Sequence, residues 1–177
     1  MQSVKNGFIL IELLIVLSII ILSTGGGLAA YRSFTDRQTV LQEGRKVKFV
    51  LQQAKIDAQT GTQRDTVCSS KGVGVFMKAI RVDLVSEKVM NTQSECSDSP
   101  TSFLNSRIYT LPGDLIWTTW PRDHTFLEFN VLTYGITFKS PGDTTLCIFS
   151  SKNQTIKYKL VITQKGEIND AEIAPCP

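Results

Sequence analysis

Histidine is all but missing from this chain: His124 is alone among 177 residues, and none of the four cysteines forms a CxxC pair. A tetrahedral zinc site needs His or Cys ligands in closely spaced pairs, so no metal site is expected. His124 lies beside Asp123 without a nucleophile or a metal partner suggested by the sequence around it. It reads as a structural or surface residue, and a membrane-tethered hydrolase built on it is the rival. No catalytic residue and no cofactor are expected. Charge of one sign is also scarce, since 19 basic and 16 acidic residues leave a net +3. That balance neither demands nor excludes a polyanionic partner. The chain has no internal repeat, and 42% hydrophobic with 20% charged residues argues against disorder.

What is present begins with a short polar leader, Met1 to Gly7, carrying Lys5. From Phe8 to Leu22 every residue is apolar except Glu12 and Ser18, and Ser23-Thr24-Gly25-Gly26-Gly27 and Leu28-Ala29-Ala30 follow. About 20 residues cross the hydrocarbon core of a bilayer, so residues 8–30 read as one transmembrane helix. The three glycines should soften it, each costing about 1 kcal/mol relative to alanine. From residue 31 to 60 the pattern turns amphipathic. Val40, Gly44, Val47, Leu51, Ala54 and Ala58 recur at alternating steps of four and three, one face of a helix. Gly61 is the expected stop. One helix from about Phe8 to Thr60 is therefore expected, apolar all round at first and one-sided later.

Residues 61–177 read as a β-rich globular domain, and the fold class is α+β: the long helix packed on an antiparallel sheet or sandwich. Ile156, Tyr158, Leu160 and Ile162 alternate with Lys157, Lys159, Val161 and Thr163, a half-buried strand. Ile80–Leu84 alternates likewise. Val73–Met77, Arg107–Leu111, Leu115–Thr118, Phe126–Phe129, Gly135–Phe138 and Thr145–Ser150 are further expected strands. Pro112-Gly113-Asp114 and Pro141-Gly142-Asp143 mark turns, and Asn91–Ser102 reads as a polar loop holding Cys96. Cys68, Cys96, Cys147 and Cys176 all lie beyond the apolar segment. In an oxidising compartment an even count predicts two disulfides, with three connectivities open. The expected one joins Cys147 to Cys176, tying the tail to a late strand, and Cys68 to Cys96.

Glu12 is the anomaly. A charge within a membrane span costs at least about 2.5 kcal/mol, so this carboxylate needs a compensating partner. A cleaved secretory signal with Gly27 and Ala29 near its cut does not explain it, and neither does a plain anchor. Gly7-Phe8-Ile9-Leu10-Ile11-Glu12-Leu13-Leu14-Ile15-Val16-Leu17 resembles the processing motif of type IV prepilins and type II secretion pseudopilins. In that motif a glycine, an aromatic residue and a glutamate at the fifth mature position follow a small leader. The resemblance implies a prepilin peptidase that cuts between Gly7 and Phe8 and methylates the new amino group of Phe8. It implies a single-pass protein of the cytoplasmic membrane, surrounded by lipid with its globular part outside, that later joins a pilus or pseudopilus. Its partners would be the peptidase, an assembly platform protein and other pilin or pseudopilin subunits. Glu12 would pair with the Phe8 ammonium of a neighbour, two charges costly alone and tolerable together.

The later chain resembles, more loosely, the GspH/FimT-type minor pseudopilins and pilins. Arg45–Ala58, Thr145–Ser150 and Ile156–Thr163 with the following Gln164–Ile168 carry the likeness. Some members of that group bind DNA through an arginine-bearing motif near the C-terminus, where this chain has Lys165-Gly166-Glu167-Ile168-Asn169 and no arginine. Lys152, Lys157, Lys159 and Lys165 are the residues that could contact phosphates. Their alternative reading is the solvated face of a half-buried strand. Trp117 and Trp120 could stack on bases or sugars, or fill a core or cover a sheet edge. Asn153-Gln154-Thr155 fits the glycosylation pattern by chance.

Overall fold

The computed structural model describes residues 10–60, 68, 75–98, 103–122, 125–131, 136–138, 142–171 and 174–176. Helix α1 runs from Leu10 to Thr60, 51 residues with no proline, and passes unbroken through Gly25-Gly26-Gly27. Two compact units, Met1–Gln38 and Thr39–Pro177, meet within this helix. Gly61, the expected stop, lies outside the described residues.

In the second unit the predicted face of α1 is the buried one. Val40, Gly44, Val47, Leu51, Ala54 and Ala58 are all buried, and burying each valine or leucine is worth about 1.5–3 kcal/mol. All of them but Gly44 share one apolar cluster with Ile80, Val82, Met90 and Leu127 from one sheet and with Leu146, Ile148, Tyr158 and Leu160 from another. Gly44 is needed at the closest approach, because a Cβ there would overlap the ring carbons of Tyr158.

Nine strands follow: β1 (Met77–Leu84), β2 (Val89–Cys96), β3 (Phe103–Thr110), β4 (Leu115–Trp120), β5 (Phe126–Asn130), β6 (Ile136–Phe138), β7 (Thr144–Ser150), β8 (Lys157–Ile162) and β9 (Ile168–Ala171). They form two antiparallel sheets, a five-stranded one in the order β3-β2-β1-β5-β6 and a four-stranded one in the order β4-β7-β8-β9. The turn after β1 links the sheets: Trp117 donates its backbone N–H to Glu87 O and its indole N–H to Ser86 O, both at 2.8 Å.

The expected loop Asn91–Ser102 needs correction, because Asn91 to Cys96 lie in β2, paired with β1 and β3. Its polar residues have places on both faces. Asn91 and Gln93 hydrogen-bond across the outer face with Ser106 and Asp83, while Thr92, Ser94 and Cys96 are buried. Polar composition hid a strand whose hydrogen-bonding groups are satisfied laterally. Within the expected strand Val73–Met77 only Met77 begins β1; Val75 and Phe76 precede it, and residues 73 and 74 lie outside the described residues. Of the open connectivities, the structure has Cys68 bonded to Cys96 and Cys147 to Cys176.

Candidate functional site

Glu12 occupies the first turn of α1. Around it, Leu10, Ile11 and Leu13 to Leu17 are exposed aliphatic side chains, and the series continues from Ile19 to Leu22. Ser18, the other polar residue in this run, satisfies itself: its hydroxyl donates to Leu14 O at 2.8 Å or Ile15 O at 2.9 Å. A hydroxyl that bonds back to its own helix costs little in an apolar setting. The Glu12 carboxylate can only accept and finds no donor in its own helix, and among the described residues it has no hydrogen-bond or ion-pair partner. Gly7 and Phe8 lie outside the described residues. Among the described residues no helix is long and apolar enough to cross a membrane; the described apolar side chains run from Leu10 to Leu22.

Two polar links, invisible in the sequence, hold the second half of α1 from either flank of its buried face. On one flank Glu43 is buried, accepts a hydrogen bond from the Tyr109 hydroxyl of β3 at 2.6 Å and pairs with Lys46. Burial by itself raises the Glu43 carboxyl. The hydrogen bonds from Lys46 and Tyr109 outweigh it and hold the group below its ordinary 4.5. On the other flank Lys48 pairs with Asp170 of β9, which also accepts from the Tyr158 hydroxyl at 2.9 Å. The Lys48 hydrogen bond holds the Asp170 carboxyl down. Both strands are sheet edges, β3 of one sheet and β9 of the other. Amphipathic periodicity found the face these links flank, but nothing local marks Glu43 or Lys48 apart from other helix charges.

The four lysines are not gathered together. Lys157 and Lys159 share the outer face of β8, with the Lys157 ammonium 5.5 Å from the centre of the Phe149 ring. Lys152 lies in the turn before β8 and is bound to Asp114 at 2.6 Å, which raises the lysine and lowers the aspartate. Lys165 is exposed in the turn after β8. A six-residue strand separates the two turns, roughly 20 Å. Trp117 belongs to the core, and Trp120 is exposed on the edge strand β4. Asp123 and His124 lie outside the described residues. No group of three His, Cys, Asp or Glu among the described residues could hold a metal ion.

No protein-family model matches the chain, and no curated protein matches it. Two crystal structures of the type IV minor pilin FimU from Pseudomonas aeruginosa do. One, in space group P21, has a TM-score of 0.53 at 20% identity over 80% of this chain and 92% of that one. The other, in P65, has a TM-score of 0.50 at 19% identity over 76% of this chain and 94% of that one. The chain therefore has the fold of a type IV minor pilin: a long N-terminal helix packed on antiparallel sheets.

Proposed function

We propose that this chain is a structural, non-enzymatic filament subunit, a minor pilin or pseudopilin of a type IV pilus or type II secretion filament. One observation carries the reading: Glu12 stands in a run of exposed aliphatic side chains without a partner among the described residues. In an apolar layer such a carboxylate stays ionised only beside a positive charge. Removal of residues 1–7 by prepilin peptidase would create that charge, the ammonium of Phe8, and methylation would preserve it. Before assembly residues 8–30 would anchor the chain in the cytoplasmic membrane, with residues 31–60 and 61–177 outside. After transfer through an assembly platform the same surface would pack among neighbouring subunits, with Glu12 of one facing Phe8 of another.

Co-expression with a prepilin peptidase tests the processing step. Mass spectrometry is expected to find a chain lacking residues 1–7 with an N-methylated Phe8, and an intact chain for Gly7→Val. A cut near Ala29, or an unprocessed chain in filaments, would refute it.

The second reading, a tip-located DNA-binding subunit, has Lys157 and Lys159 in its favour, since they share one strand face. Lys152 is engaged by Asp114, and Lys165 is at the opposite end of the strand. A gel shift on the full chain decides between the readings. Salt-sensitive retardation abolished by Lys157→Ala with Lys159→Ala would favour DNA.

A further inference from the structure

Independently of any role in a filament, we propose that the Cys147–Cys176 bridge is a thiol-exchange site. An anionic thiol enters beside Lys157, attacks the sulfur of Cys176 and displaces Cys147.

Two bridges of nearly equal span stand in different surroundings. Cys68–Cys96 and Cys147–Cys176 are separated by 28 and 29 residues, so chain entropy favours their closure alike. Cys68 and Cys96 are both fully buried, and Cys96 lies opposite Met77 in the ladder. That bridge is closed to a thiol in solution. Cys176, by contrast, is partly exposed and lines an open cleft of about 390 Å³ with Thr155, Lys157, Ala174 and Pro175. The cleft gives solvent a path to one sulfur, and the Lys157 ammonium at its wall attracts a negative attacker.

The leaving side is prepared as well. Cys147 is buried on the outer face of β7, and its cross-strand neighbours are Thr118 of β4 and Lys159 of β8. Side chains directly opposite on an antiparallel sheet have Cβ atoms about 4.5–5.5 Å apart, so a hydroxyl and an ammonium flank the Cys147 side chain. No carboxylate competes for them on this face. Asp170 is the sole acid within β4, β7, β8 and β9, and it lies opposite Leu160 on the inner face, paired with Lys48. Among the described residues Lys159 has no ion-pair partner. A nearby cation stabilises a thiolate, and a better stabilised thiolate leaves a disulfide faster.

The exchange balances as two substitutions at sulfur. A thiolate bonds to Cys176 Sγ while the Cys147–Cys176 bond breaks, and its electron pair leaves on Cys147 Sγ, which takes up a proton. A mixed disulfide now joins the attacker to Cys176. A second thiolate, from the same dithiol or from another thiol molecule, bonds to the attacker's sulfur and releases Cys176, which is protonated in turn. Two thiols are oxidised to a disulfide and the bridge is reduced by two electrons. Residues 174–176 are then no longer tied to β7, while Cys68–Cys96 stays closed.

The full chain in lipid nanodiscs is treated with excess glutathione, an anionic thiol, or with cysteamine, a cationic one. Samples are quenched over time with iodoacetamide and peptide-mapped, and rates are scaled to each thiol's rate with hydroxyethyl disulfide. Glutathione is expected to open Cys147–Cys176 about tenfold or more faster than Cys68–Cys96, with the first adduct on Cys176 and the alkyl group on Cys147. Scaled rates should favour glutathione over cysteamine. Lys157→Gln is expected to erase that preference, and Lys159→Gln to slow opening about threefold with either thiol. Equal rates at the two bridges, a first adduct on Cys147, or equal scaled rates for the two thiols would each overturn the proposal without any variant. Unchanged kinetics in both lysine variants would overturn it too.

Discussion

Gly44 shows how one missing side chain shapes the domain. An alanine in a helix interior gains about 1 kcal/mol over glycine, yet here its Cβ would overlap the Tyr158 ring. Tyr158 is fully buried with its hydroxyl tied to Asp170, so the ring cannot simply swing aside. Gly44→Ala is expected to destabilise the chain by about 1–3 kcal/mol in urea unfolding, and much less in a Tyr158→Leu background. A more stable Gly44→Ala would show that the helix can lift without cost. Two carboxylates give opposite pH signatures. The Glu43 carboxyl is held below its ordinary 4.5 by bonds that outweigh burial. Its stabilisation is thus complete above that value and lost as pH falls through the lower folded value. Tyr109→Phe removes one charge-assisted bond, expected to cost about 1.5–3 kcal/mol at neutral pH and less in acid. Glu128 is held above 4.5, first by burial and then by the charge of Glu95, so its ionised form weakens the fold. Glu128→Gln is expected to stabilise the protein at pH 7 and to lose that gain below about pH 4. An unchanged difference between the two pH values would contradict the assignment.

Secondary structure was legible wherever burial imposed a period. The six residues spaced by four and three along α1 are buried, and Tyr158, Leu160 and Ile162 alternate with half-buried neighbours in β8. β2 was not legible, because Asn91, Gln93 and Glu95 place amides and a carboxylate on a hydrogen-bonded sheet face, where apolar alternation gives no signal. β9 was missed for a related reason: Ile168-Asn169-Asp170-Ala171 is a mostly exposed edge strand, recognisable only by its pairing with β8. The helix flank links from Glu43 and Lys48 were equally hidden, since their partners lie far off in sequence. The sequence alone leaves Trp117 open between core and stacking platform; it is buried in the core, with its indole N–H bonded to Ser86 O. The disulfides join elements that no hydrogen-bond ladder connects. Cys147 faces outward from β7 yet is buried, with Cys176 bonded to it across 29 residues. Replacing both by alanine is expected to cost about 3–4 kcal/mol by loop-closure entropy, read as a lowered urea midpoint. A midpoint unchanged by the double replacement would mean the tail adds nothing to folding.

The chain divides its chemistry between its two units. Among its described residues the second, Thr39–Pro177, holds an apolar cluster, two disulfides and paired charges at both flanks of the helix. The first leaves its demands open, with aliphatic side chains from Leu10 to Leu22 exposed and one carboxylate among them. On the proposed filament reading this surface meets lipid before assembly and other subunits after it; the likeness to FimU rests on fold. The helix half that packs on the sheets was readable from its own periodicity. The role proposed for Glu12 rests on a contradiction in the sequence, a charge within an apolar run. The decisive measurement compares wild type with Glu12→Val for the fraction of processed subunit in sheared filaments against the membrane pool. The variant is expected to insert and be cleaved normally, because Gly7 and Phe8 are untouched. It should then be depleted from filaments, since removing one member of a buried pair costs about 3–5 kcal/mol, and Glu12→Gln should restore incorporation only in part. Incorporation of Glu12→Val at the wild-type fraction would contradict the account.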